Sequence, residues 1–227
     1  MELSSFTWAY YDQLLSELEK PQYLVLNVSG FILLSEKGEL PLDKVIVILR
    51  HDVDYSPNSS MEISRMENEH NITSTYYIRA RGSYDPLSPD IFKWIKWLNQ
   101  NGFEVGLHHE DLYITNYNFT EAVKLFKIDL QLLRGISRVI TVCAHGNVAK
   151  PKHVNHEIFT RNYTTLEENS LAGEADLTVA KYVKQLELRM ENLSDSGGKW
   201  QPFLEVLTNA AAREVIYFLI HPEWWHK

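Results

Sequence analysis

The chain contains one cysteine, Cys143, so no disulfide can form within it. It has no apolar run approaching the roughly 20 residues that a membrane-spanning helix needs. No basic stretch followed by an apolar one opens the sequence, so no secretory signal is expected and a cytoplasmic location is. Positive charge is short, with 22 Lys and Arg against 30 Asp and Glu, a net charge of −8 and a pI near 5.6. Without a basic stripe to follow a phosphate backbone, nucleic acid is excluded as the main partner. A neutral sugar or a bound metal cation remains compatible with that charge. Gly and Pro are sparse and nowhere concentrated into a linker, and no repeat is visible. The expectation is one domain over residues 1–227.

Apolar residues make up 44% of the chain, enough for a sizeable core, and Tyr, Phe and Trp are generously represented. Residues 6–20 read as a helix, with Phe6, Tyr10, Leu14 and Leu18 at four-residue spacing and Pro21 at its end. Residues 23–28 read as a short strand. Residues 29–44, with Gly30, Gly38 and Pro41, read as a connecting loop or hairpin. Helical patterns follow at 57–70, 90–101, 119–135 and 202–213, and strand patterns at 72–79, 103–107, 139–143, 188–193 and 215–220. Residues 148–185 show no clear pattern, and a stretch of that length within a compact domain is often functional. Strand, polar cluster, helix, repeated, predicts an α/β fold with a mostly parallel sheet, closed or nearly closed as a barrel.

The organising stretch is 45–54. Its first five residues, Val-Ile-Val-Ile-Leu, are four-fifths β-branched and too short for a normal helix, which marks a strand buried on both faces. It then runs into Arg50, His51, Asp52 and Asp54. Asp52 and Asp54 lie two apart, so in extended backbone they point the same way. Like charges so placed need a cation, a proton or a basic neighbour. Three more strands end in histidine: at His108 and His109, at His145, and at His221. In a parallel sheet these ends gather at one mouth. A single histidine is more often a packing residue, and His153, His156 and His226 are read so. One carboxylate with two imidazoles, however, is a common open site for zinc or another divalent ion.

Arg50-His51-Asp52-Val53-Asp54, the run Gly-Phe-Glu-Val-Gly-Leu-His at 102–108, and Leu219-Ile220-His221 resemble successive motifs of the polysaccharide deacetylase (NodB-homology) superfamily. The resemblance covers about residue 45 to the C-terminus. It implies a (β/α) barrel of the polysaccharide deacetylase or glycoside hydrolase/deacetylase type, seven-stranded and open to being incomplete. It implies removal of acetyl groups from sugars, or hydrolysis of another small amide, with a divalent metal ion, expected to be zinc, as cofactor. Carried over, Asp52 is the catalytic base, Asp54 and His108 are metal ligands, and His221 is the general acid. The superfamily's second histidine would fall at position 112, which is Leu112. The third ligand must then come from elsewhere. His145 is preferred; Glu110 shares the parity of His108, whereas the pleat turns His109 away. Asp195 and Trp200 match the acidic and aromatic positions ahead of the last strand and are expected at the substrate, although Asp195 also reads as a turn residue before Gly197.

The leading expectation is a metal-dependent hydrolase of amide C–N bonds, acting on an N-acetylated sugar, with a nucleotide- or lipid-linked precursor favoured by the cytoplasmic reading. The alternative, motivated by Leu112, is a non-catalytic sugar-binding or scaffold protein. Retention of both Asp52 and His221 speaks against it.

Overall fold

The computed structural model describes residues 6–146 and 155–226. In chain order they form α1 (Trp8–Leu18), β1 (Tyr23–Leu26), α2 (Val28–Lys37), β2 (Val45–Val53), α3 (Pro57–Glu69), β3 (Thr75–Ile78), α4 (Pro89–Gln100), β4 (Glu104–His109), α5 (Asp111–Ile114), α6 (Phe119–Arg134), β5 (Thr141–Ala144), α7 (Glu157–Thr160), β6 (Gly173–Glu174), α8 (Ala175–Gln185), β7 (Arg189–Ser194), α9 (Phe203–Asn209) and β8 (Glu214–Ile220). Among the described residues no helix is long and apolar enough to cross a membrane.

All strand pairings are parallel, in the order β6-β5-β4-β3-β2-β8-β7. One edge of β2 carries β8 from Ile46↔Val215 to His51↔Ile220. The other edge is shared: β1 takes its first half, Val45 to Ile48, and β3 its second, Arg50 to Val53. Among the described residues β6 and β7 do not pair, so the curled sheet stays open as an incomplete (β/α) barrel. The expected parallel strands thus fold as neighbours, and the barrel does not close.

Every residue of β2 is buried, and alternation divides them between two cores. Val45, Val47, Leu49 and Val53 pack with α1, α3, α4, α6 and α9 on the outer face. Ile46 and Ile48 pack with α2 and α8 on the inner face. Of the four-residue spacing read in the first helix, Tyr10, Leu14 and Leu18 are buried in α1, while Phe6 precedes it and is partly buried; α4 buries the stripe Ile91, Trp94, Ile95, Leu98.

Two segments differ from expectation. Residues 29–44 are not a loop or hairpin, because α2 occupies most of them. Its glycines are terminal signals. The Asn27 side chain caps the helix by accepting from the Gly30 N–H, where a Cβ would stand only 2.8 Å from that oxygen. Gly38, at φ 68°, ends it in the left-handed region. The unpatterned region contains α8, which begins where Glu174 accepts from the N–H groups of Asp176 and Leu177.

α3 packs a polar stripe inward, Ser60, Ser64 and Glu67, beside the fully buried Ile63. Glu67 is fully buried and accepts from the hydroxyls of Tyr11, Ser74 and Tyr76, while His51 Nε2 stands 2.7 Å from it. This knot ties α1, β2, α3 and β3 together. Glu67→Ala should strand four buried partners and lower unfolding stability by about 3–5 kcal/mol. Denaturant titration checks this; a loss under about 1 kcal/mol would mean that the four groups find other partners.

Candidate active site

The site follows from strand parity. Arg50 and Asp52 share the inner face of β2 with Ile46 and Ile48, and Asp54 lies just past the strand end. His51 points the opposite way, into the Glu67 knot, with its ring stacked on Tyr76. Ser56, not an aspartate, is the N-cap of α3, so neither Asp52 nor Asp54 is used there. On β4, His108 faces inward. His109 faces outward between Phe126 and Phe159, with Nδ1 3.0 Å from Asp111 Oδ2. The inner face of β4 has room because Gly106 lacks a side chain: a Cβ there would sit 2.2 Å from the Tyr77 ring. β5 pairs beside β4, His108 against Cys143, and the His145 N–H donates to the His109 carbonyl.

Asp54, His108 and His145 consequently meet. Asp54 Oδ1 lies 3.2 Å from His108 Nε2 and 3.2 Å from His145 Nδ1. The two ring nitrogens are 3.1 Å apart. The Nδ1–H of His108 donates to the Cys143 carbonyl at 3.2 Å, which leaves Nε2 to face the other two. Asp54 Oδ1 is buried yet accepts no aligned hydrogen bond. Three donors at this mutual spacing fit a small divalent cation, since tetrahedral zinc with ligands at about 2.0–2.2 Å spaces them roughly 3.3–3.6 Å apart. The donor set, one carboxylate and two imidazoles, suits zinc or a related ion. Burial raises the Asp54 carboxyl, but its contacts with His108 and His145 hold it well below the ordinary range.

Two groups flank this trio in opposite protonation states. Asp52 is buried, which raises its carboxyl, but Arg50 outweighs that and, with His108, holds it at about 2. The guanidinium of Arg50 grips both carboxylate oxygens at 2.8 Å and also reaches Asp176 Oδ1 and the Tyr217 hydroxyl. Opposite, His221 Nε2 stands 3.9 Å from Asp54 Oδ2. Burial lowers its imidazolium, but the bond from Nδ1 to Asp195 Oδ1 at 2.7 Å carries it up to about 9. Cys143 lies near Asp52 and His108, but burial pushes its thiol far up, so it stays neutral and a poor ligand.

These groups line a cleft of about 790 Å³, with Tyr55, His156, Asp176, Glu223 and Trp224 also on its walls. Several expected residues are placed differently. Asp195 is fully buried and accepts from the His221 N–H, His221 Nδ1 and the Trp225 indole, so it reaches a substrate only through His221. Trp200 is not part of the cleft lining; it packs edge-on against Phe6, Tyr10 and Phe203. Trp224 takes the aromatic place there. Glu110, the other candidate ligand, is held by Arg79, which also donates to the Asp54 carbonyl. Leu112 is buried in the outer core. Of the histidines read as packing residues, His156 lines the cleft, His226 is exposed, and His153 lies outside the described residues. Asn155 had no sequence signal. It accepts from the Leu112 N–H and donates to the His145 carbonyl, bracing that loop.

No family model and no curated protein matches the sequence. Solved structures similar to it include two deacetylases. One is the Streptococcus pyogenes deacetylase PplD in complex with acetate, at 14% identity and TM-score 0.43, over 95% of this chain and 81% of that one. The other is the chitin deacetylase of the fungal pathogen Colletotrichum lindemuthianum, at 14% identity and TM-score 0.40, over 78% and 74%. At such identity and TM-score the reading of the site rests on this chain's own residues.

The elevated imidazolium can be measured in metal-free protein. His221 rises from 6.5 to about 9, so its contribution to stability is complete below pH 6.5 and lost as pH climbs through 9. In an NMR titration its ring should reach its midpoint near 9. Asp195→Asn should lower it, because burial is then opposed only by the charges of Asp52 and Asp54. A midpoint that does not move in Asp195→Asn would remove Asp195 from this role.

Proposed function

We propose that the protein is a metal-dependent hydrolase of amide C–N bonds that deacetylates an N-acetylated sugar. The observation that carries this reading is the pair Asp52 and His221, one held ionised and the other held protonated, on either side of Asp54, His108 and His145. A divalent ion held by those three residues, zinc by its donor set, would polarise the substrate carbonyl and make water a nucleophile near neutral pH. Asp52, ionised at neutral pH, would accept the proton of the attacking water, with Arg50 fixing both its oxygens. A carboxylate held at about 2 is a weak base, so it works only on a strongly acidified water; the pairing itself argues for a metal. His221 would carry its proton on Nε2 to the departing amine nitrogen, while Asp195 holds Nδ1–H and sets the ring's orientation. The cleft, with Tyr55 and Trp224 on its walls, suits the mixed polar and apolar faces of a sugar ring.

Metal analysis of purified variants, followed by assay on a panel of N-acetylated sugars, tests the assignment. Asp54→Asn and His145→Ala should lose most bound metal, and His109→Ala should keep it. Asp52→Asn should keep metal and fold while losing about 10²–10⁴-fold in rate. Metal lost in Asp52→Asn and kept in Asp54→Asn would reverse base and ligand. Full metal occupancy with no hydrolysis of any panel member would favour the sugar-binding reading that Leu112 motivates.

A further inference from the structure

After β8 the chain makes a 3-10 turn, Pro222–Trp224, that sets two side chains on the cleft wall unused by the chemistry above. Both Oε1 and Oε2 of Glu223 are buried and accept no well-formed hydrogen bond, and the Nε1–H of Trp224 donates none. Burial pushes the Glu223 carboxyl up to about 7 against the pull of its own backbone N–H, and the nearby Asp54 charge adds to the rise. Buried polar groups without partners oppose folding. Two on one wall, two and three residues past His221, indicate partners that come from the cleft. The indole is also seated: Gly198, at φ 71°, lets the preceding turn pack on it, and a Cβ there would meet the ring at 3.5 Å.

We propose that Glu223 and Trp224 form a recognition subsite for vicinal hydroxyl groups of a sugar ring. Two free carboxylate oxygens call for two donors, and the indole N–H calls for an acceptor. Hydroxyl groups are both at once. An ammonium group would satisfy Glu223 but not Trp224, and the cationic His221 close by disfavours it. The subsite rests on the deacetylase reading only for where the acetamido group would lie.

The test uses full-length, metal-loaded protein and two kinds of probe: N-acetylhexosamines, and N-cyclohexylacetamide, which keeps ring and amide but has no hydroxyls. Binding is read by ligand-observed NMR and calorimetry, independently of turnover. Wild type should favour at least one hexosamine over the cyclohexyl probe by tenfold or more. Glu223→Gln and Trp224→Phe should each cut that preference at least fivefold, Trp224→Phe keeping an apolar ring where a fold defect is feared. A preference unchanged in both variants, or no preference in wild type, overturns the subsite even where hydrolysis is present. A Glu223-dependent preference without hydrolysis keeps the subsite and rejects the hydrolase.

Discussion

The cleft depends on a guanidinium buried in the middle of a sheet. Arg50 is 2% exposed and sits among residues that would otherwise read as uniform core. Such a charge is tolerated only when paired and hydrogen-bonded, and here Asp52, Asp176 and Tyr217 supply the partners. That requirement also fixes the register of β2. A slip by one residue would turn Arg50 and Asp52 into the apolar core on the outer face and bring Val47, Leu49 and His51 inward, His51 away from Glu67. The two faces of β2 are therefore specified by polar pairing as strongly as by apolar burial. The inner pair fixes the direction in which Asp54 leaves the strand.

One physical rule, applied to three neighbours, sets the protonation of the cleft. Burial drives each group toward its neutral form, and the nearest partner decides whether that succeeds. Asp52 has a cation and is held at about 2. His221 has an anion and is held at about 9. Glu223 has no charged partner in hydrogen-bond contact and drifts up to about 7. Each of the first two is one half of a pair, with Arg50, which also lines the cleft, for one and the fully buried Asp195 for the other. The charge state of each is thus set by its partner before any ligand arrives, as a preorganised site requires.

Much of this was legible in the sequence, for identifiable reasons. Strand parity follows from a period of two and needs no tertiary information, so the inward placing of Asp52, Asp54 and His108 and the outward placing of His109 could be derived. Helix α4 announces itself by an apolar stripe between Pro89 and Gly102. Helix α2 does not, because Gly30 and Gly38 look like breaks when read one by one and become helix ends only once Asn27 is seen to cap. Glu67 looks like a solvated helix residue until its four partners, drawn from three other elements, surround it. Asp195 and Trp200 were read as substrate contacts from their place before the last strand, but position in a motif does not distinguish touching a substrate from supporting a residue that does. Burial does, and burial is a property of the folded chain.

His145, and not position 112, stands where a third donor can reach Asp54. Position 112 lies in α5, beyond the end of β4, and its side chain is turned into the outer core among apolar residues. A histidine there would have to leave that core to reach Asp54. His145 needs no such excursion. Cys143 is opposite His108 in register and faces inward, and a residue two further along keeps that direction, just as Asp54 follows Asp52. The inner positions of β2, β4 and β5 therefore converge above Tyr77, whose ring occupies the space Gly106 leaves on the intervening side of β4. Asn155, bonded both to the Leu112 backbone and to the His145 carbonyl, ties the segment after β4 to the residue that follows β5.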